Sequence, residues 1–190
     1  MHKSLGNAIW TDEAVERVGA DVMRWLYCVS NPGRDLRFGF GLAEEAKRRF
    51  LLPLWNAYRF FVTYANIDRW CPSDSSPRLQ VMDRWILSRL HRTVAGVTRN
   101  LESYDAQRAT EMLEIFVDNL SRWYLRGSRR RFWKAEADAD KEAAYHTLYT
   151  CLCTLSRVLA PFVPFLSEEM YQNLVRRESP KAPKSVHHTD

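Results

Sequence analysis

Four cysteines in 190 residues match neither the spacing of a zinc site nor a disulfide framework. Cys151 and Cys153 fall in an apolar helical pattern, where a thiol acts as a small hydrophobe. The expectation is a reduced, cytoplasmic setting. Long apolar runs are missing too. The longest, from Val158 to Leu166, contains Pro161 and Pro164 and is far short of a membrane span, and there is no secretory signal. No sequence unit repeats. No glycine-rich phosphate loop or other catalytic constellation occurs, and His91, His146, His187 and His188 have no metal-ligand partners at a suitable spacing. Membrane insertion, metal chemistry and self-contained catalysis are therefore not expected of this chain.

A further absence is local. Between Asn119 and Lys134 (NLSRWYLRGSRRRFWK) there is no acidic residue, while Arg122, Arg126, Arg129, Arg130, Arg131 and Lys134 are all present. The chain carries a formal charge of +5, and without these six it would be near neutral. The basic character is thus concentrated in one place, which favours a site over a generally adhesive surface. Trp123, Tyr124, Phe132 and Trp133 are interleaved with the charges. Basic groups neutralise phosphates and flat rings stack on unpaired bases, so the mixture suits single-stranded or looped RNA. The competing reading is a solvated, arginine-rich helix end whose aromatics belong to the core. Gly127-Ser128 is expected to end one helix before a second basic turn begins.

Hydrophobic content of 46% is enough for a real core. Thr11 is a plausible N-cap for a short helix to about Val18, and Gly19 separates it from a second helix, Ala20 to about Ser30, with Val22, Met23, Leu26 and Tyr27 on its apolar side. Asn31-Pro32-Gly33 is a turn, and the alternation of Asp35–Phe40 predicts a short strand. A long helical pattern runs from about Leu42 to Trp70 through Phe50, Leu54, Tyr58, Phe61 and Ala65, with a kink or restart at Pro53. Further helices are predicted from about Leu79 to Leu101, from an Asp105 cap to about Arg126, from about Lys141 to Leu159, and from about Phe165 to Val175. Ala135–Glu142, small and acidic, reads as an exposed link that bounds the basic patch. The predicted fold is mainly α: a small α/β segment over residues 1–41, a helix bundle over 42–178, and a polar tail over 179–190.

Several segments, in order, resemble a class I isoleucyl-tRNA synthetase. The opening MHKSLGN is similar to the K-M-S-K-S signature loop, lacking its first lysine and carrying His2 where serine is usual. GADVMRWLY (Gly19–Tyr27) and DLRF (Asp35–Phe38) resemble the stem-contact region that follows that loop. LWNAYRFFVTYANID (Leu54–Asp68) resembles the first helix of the anticodon-binding bundle. SRWYLRGSRRRFW (Ser121–Trp133), APFVPFLSEEMYQNL and SVHHTD resemble later parts of the same bundle.

The resemblance implies an anticodon-binding helix bundle preceded by a stem-contact segment, belonging to a ligase that attaches isoleucine to its tRNA using ATP and Mg. Lys3 would be the signature-loop lysine that stabilises developing pyrophosphate charge, with Ser4 shaping the loop. The nucleotide-binding fold, amino-acid pocket and editing domain would lie outside the chain, so it would bind no cofactor and activate no amino acid alone. The implied partner is isoleucine tRNA, met by a monomer. Arg126, Arg129, Arg130 and Arg131 are the candidate phosphate or base-edge contacts, Trp123 and Trp133 the candidate stacking rings, and Asn56 and Arg59 further anticodon contacts. Two alternatives stand beside this: a helical protein-interaction module, and the same domain of a valyl-, leucyl- or methionyl-tRNA synthetase.

Overall fold

The computed structural model describes residues 9–35, 38–73, 77–136 and 138–189, and among them the regular structure is helical throughout. Helices α1 (Thr11–Val18), α2 (Ala20–Val29), α3 (Phe40–Ala46), α4 (Leu52–Asp68), α5 (Val81–Glu102), α6 (Ala106–Asp118), α7 (Arg126–Trp133), α8 (Ala139–Val158) and α9 (Pro164–Tyr171) follow one another in that order. Of the strand expected at Asp35–Phe40, Leu36 and Arg37 lie outside the described residues; Phe38 and Gly39 are irregular and Phe40 opens α3. The Thr11 cap shifts by one: Trp10 holds the N-cap position and Thr11 begins the helix.

Two of the junctions are not breaks. A π-helical turn, Lys47–Leu51, carries α3 into α4, and another, Asn119–Leu125, carries α6 into α7. The first explains how the chain tolerates Pro53. The Leu52 N–H reaches back to the Lys47 carbonyl, and the α-helix restarts with proline in its first turn, where its missing N–H costs least. The second overturns the helix end expected at Gly127-Ser128. Phe116, Leu120, Tyr124, Ser128 and Phe132 are all buried at an unbroken spacing of four. On a helix of 3.6 residues per turn that spacing drifts by about 40° per step. The wider π turn removes the drift, keeping one face of a single helix inside from Ala106 to Trp133.

One hydrophobic cluster runs from Val18 to Leu174 and ties the first two helices to the bundle. Its joint is Trp25, fully buried, stacked on Phe50 (centroids 3.7 Å apart, 2° between planes) and edge-on to Phe162. Trp25, not Tyr27, is the large apolar anchor of α2; Tyr27 is exposed. Asp21 adds a polar tie by accepting from the Phe165 and Leu166 N–H groups at the start of α9, at 3.2 and 2.7 Å. Helices α5 and α6 pack side by side, and the Met112 thioether lies over Gly96, in the space a Cβ would take. The tail returns to the bundle. Val186 is buried beside Ala160 and Tyr171, and Glu168 accepts from Ser185 Oγ and the Val186 N–H, each at 2.8 Å.

Candidate nucleic-acid interface

Helix α7 is amphipathic in an unusual way. At about 100° per residue, Arg126, Arg129, Arg130 and Trp133 share an arc of roughly 100°, and all four are exposed. Ser128 and Phe132, on the opposite side, are buried. Trp123, 64% exposed, extends the stripe back into the π turn. Among the described residues Arg126, Arg129 and Arg130 have no ion-pair partner, so their charge is available to a polyanion. Two large exposed rings beside three unpaired guanidinium groups have the chemistry that base stacking and phosphate neutralisation require.

The stripe has defined limits. Arg122 pairs with Asp118 at 2.8 Å, and the Lys134 ammonium lies 2.8 Å from Asp138 and 3.0 Å from Asp140. The acidic stretch after Trp133 therefore closes the basic patch by pairing with its last lysine. Part of that stretch is not an exposed link. Asp138 caps α8, accepting from the Lys141 N–H at 2.7 Å, and Lys141 is buried, its ammonium on the Lys134 carbonyl and Asp68 at 2.7 and 2.6 Å.

Arg131 does not belong to the stripe. It points inward, with Nη1 and Nη2 donating to the two carboxylate oxygens of Asp83 at 2.7 and 2.8 Å and Nη2 also donating to the Asp140 carbonyl at 2.9 Å. Asp83 is fully buried and also accepts from the Tyr124 hydroxyl (2.8 Å) and the Gln80 N–H (2.9 Å). Four donors fill the carboxylate's sites. Burial, then the neighbouring Asp83 charge, pushes the Tyr124 phenol well above its ordinary range, so it remains a donor. Burial opposes the Arg131 charge, but Asp83 outweighs it and holds the guanidinium above its usual value. Arg131, expected among the RNA contacts, is placed instead in a structural pair, its planar fork matched to the buried Asp83 carboxylate.

Trp133 is held in place. Its Nε1 donates to Tyr64 Oη at 2.8 Å, and Tyr64 packs on Phe60, whose ring meets Phe132 edge-on. These contacts set α4 beside α7. Asn56 lies one turn before Phe60 on that same side of α4 and is exposed, as is Arg59. Two cations were not picked out from the sequence. Arg89 and Arg92, on α5, are exposed and line a shallow hollow with Ile115 and Asn119, where α6 passes into the π turn. Their distance in sequence from the arginine-rich segment concealed them. Lys3 and Ser4 lie outside the described residues.

No group of three or more His, Cys, Asp or Glu residues among the described residues is arranged to hold a metal, and no helix there is long and apolar enough to cross a membrane. Burial pushes the Cys151 thiol far up, out of the reactive range.

Residues 83–190 match the model of the anticodon-binding domain of tRNA ligase. The chain belongs to that family. The matched region begins at the buried Asp83 and contains the whole α7 stripe. Over its full length the chain is 52% identical to the isoleucine–tRNA ligase of Dehalococcoides mccartyi and 45% identical to that of Thermus thermophilus. It spans 19% of the length of each of these curated relatives. The agnB2 LeuRS of Agrobacterium radiobacter K84, solved as a ternary complex with tRNA and LeuAMS, superposes with a TM-score of 0.68 over 92% of this chain and 21% of that one, at 21% identity. That likeness concerns the fold alone, and it agrees with the helical architecture.

Proposed function

We propose that this chain is the stem-contact and anticodon-binding part of an isoleucine–tRNA ligase, a cytoplasmic, monomeric enzyme that joins isoleucine to its tRNA with ATP and Mg. In this reading residues 1–41 hold the signature loop and stem-contact segment, 42–178 the anticodon-binding bundle and 179–190 its tail. The observation that carries the reading is the stripe of three unpaired arginines and two exposed tryptophans on the family's own domain. Isoleucine, rather than leucine, valine or methionine, rests on the full-length match to isoleucine–tRNA ligases. Arg126, Arg129 and Arg130 contact phosphates or base edges, Trp123 and Trp133 stack, and Asn56 and Arg59 reach the same RNA from α4. Lys3 and Ser4 act on ATP only within the whole enzyme.

The test is a titration of the chain with an isoleucine tRNA transcript at several salt concentrations and with altered anticodon bases. Steeply salt-dependent binding that weakens when the anticodon changes is expected. Binding indifferent to both salt and anticodon would favour a protein-interaction module. For Lys3, replacement by alanine in the full enzyme should slow isoleucine-dependent pyrophosphate exchange while leaving tRNA affinity unchanged. A normal exchange rate would remove that residue from the chemistry.

A further inference from the structure

The tRNA-binding reading leaves a furrow between α2 and α6 unused. Two hollows, of about 330 and 700 Å³, share Glu111 and run together along α6. From Asp105 to Glu114 the furrow extends about 13 Å at 1.5 Å per residue. Trp25 and Leu26, both buried, line one end, with the half-buried Val29 and the exposed Leu42 beside them. Stacking on Phe50 holds the Trp25 ring in place. Tyr27 and Tyr104, both exposed, line the other end. Tyr104 is the informative one. Its φ of 58° is a left-handed conformation that glycine or asparagine adopts at less cost. Its N–H closes the turn between α5 and α6 on the Leu101 carbonyl at 2.9 Å, a bond that any residue except proline can make. Its ring is 94% exposed and adds nothing to the core. Neither the turn nor the packing calls for tyrosine, which points to a ring kept outside for contact.

The charges of the furrow have the opposite sign from those of the α7 stripe. Two arginines reach it, and each is taken: Arg49 lies 3.0 Å from Glu114 and Arg108 3.4 Å from Asp105. Glu45 and Glu111 are exposed and have no ion-pair partner among the described residues. The furrow is therefore net negative on a chain whose formal charge is +5. It repels phosphates and attracts lysine or arginine. Such side chains lay their alkyl stems on apolar surface while the charged head reaches a carboxylate at the rim. Gln107, half-buried, has a side-chain amide without a hydrogen-bond partner among the described residues, and it can meet a peptide main chain. At about 3.3 Å per residue, a furrow of this length takes roughly four residues of extended chain.

We propose that this furrow docks a short extended segment of a separate polypeptide, in which lysine or arginine is interleaved with large apolar residues. The apolar side chains rest on Leu26, Val29 and Leu42, and the cations pair with Glu45 and Glu111. Charge complementarity selects this occupant over a nucleic acid. The contact uses none of the residues assigned to tRNA and stands apart from that reading.

The probe is the capped hexapeptide acetyl-Lys-Leu-Lys-Leu-Lys-Leu-amide, titrated into the isotopically labelled chain and followed by NMR. Amide shifts at Val29, Leu42, Tyr104 and Glu111 are expected, and none with the counterpart carrying glutamate for lysine. Glu111→Lys should raise the Kd of the peptide about tenfold or more, because it sets like charges against each other. Glu16→Lys, the same charge change at an exposed position of α1 outside the furrow, should alter it by less than about twofold. Leu42→Ser should weaken binding as well, which charge attraction alone would not show. Glu111 and Leu42 are both exposed, so urea midpoints should stay at the wild-type value. In the full enzyme the peptide should bind as it does to the chain. Wild-type affinity in either furrow variant, shifts confined to residues outside the furrow, or no binding at low salt overturns the docking site. If the chain binds the peptide and the full enzyme does not, the enzyme's own polypeptide fills the furrow and the separate partner is overturned.

Discussion

Replacing Arg131 with methionine separates its role from that of its neighbours. The methionine fills most of the space but leaves Asp83, fully buried, without its cation. Two charge-assisted hydrogen bonds of 2.7 and 2.8 Å disappear, together with the bond to the Asp140 carbonyl. Breaking a buried pair by removing one partner costs about 3–5 kcal/mol. Asp83 keeps the Tyr124 hydroxyl and the Gln80 N–H, so the lower end applies and the expected loss is about 3 kcal/mol. Against a total stability of about 5–15 kcal/mol, that is a large fraction. Urea unfolding followed by circular dichroism measures it, with Arg129→Met as the surface control, expected within about 0.5 kcal/mol of wild type. Adding Asp83→Asn to Arg131→Met removes the stranded charge and should recover part of the loss. If Arg131→Met costs no more than Arg129→Met, Arg131 is not anchored as described and belongs back with the RNA-facing group.

Arg126→Ala, Arg129→Ala and Arg130→Ala should each weaken tRNA transcript binding by about 1–3 kcal/mol at a base contact, or lower the salt slope by about one at a phosphate contact, with unchanged urea midpoints. Unchanged affinity and slope in all three would remove the stripe as a binding face. Gly127 sits exposed within α7 with nothing near its missing Cβ, so Gly127→Ala should raise stability by about 0.5–1 kcal/mol, and a drop would contradict the continuous helix. Acid should destabilise the fold through Asp68 and Glu168. Burial opposes the charge of each, but donors from Lys141 and Tyr145 to Asp68, and from Gln172, Ser185 and the Val186 N–H to Glu168, outweigh it and hold both carboxyls below their ordinary range. A lowered folded value means that this stability is complete above about pH 4.5 and lost as pH falls through the lowered values. Urea midpoints at pH 6 and pH 3 should show the loss, and Glu168→Gln should reduce it.

The helices of the bundle were legible because their apolar residues recur at helical spacing. Phe50, Leu54, Tyr58, Phe61 and Ala65, read as one stripe, are all buried. The errors came where local rules competed with tertiary packing. Gly127-Ser128 carries a turn signal that outranks helix propensity in a short window, yet the buried residues on either side keep a spacing of four and bind the segment into one helix. A π turn has no residue signature of its own; it shows only as that drift-free spacing, which becomes meaningful once both flanks are known to be inside. Periodicity does not single out Trp25, because Tyr27 gives an equally good apolar face for α2, and only the Phe50 and Phe162 rings decide between them.

The arginines show the same limit at the site. Residues 126, 129, 130 and 131 are alike in composition, and a charge count treats them as one cluster. Helical phase divides them: three share one arc of about 100°, while Arg131 lies about 100° beyond Arg130, on the side facing α5. Phase alone takes Arg131 out of the exposed arc but names no partner for it. What fixes it is Asp83, 48 residues away in the first turn of α5, an aspartate that by itself reads as an ordinary helix-start residue. The pair also accounts for the rigidity of the exposed face. With Arg131 tied to α5 and to the start of α8, and Trp133 tied to Tyr64 on α4, α7 is anchored to three helices. The outward arginines therefore leave from a fixed backbone. Such a platform lowers the ordering cost of meeting a flexible RNA loop, so loosening Arg131 at a temperature below unfolding should slow or weaken tRNA capture without removing a single RNA contact.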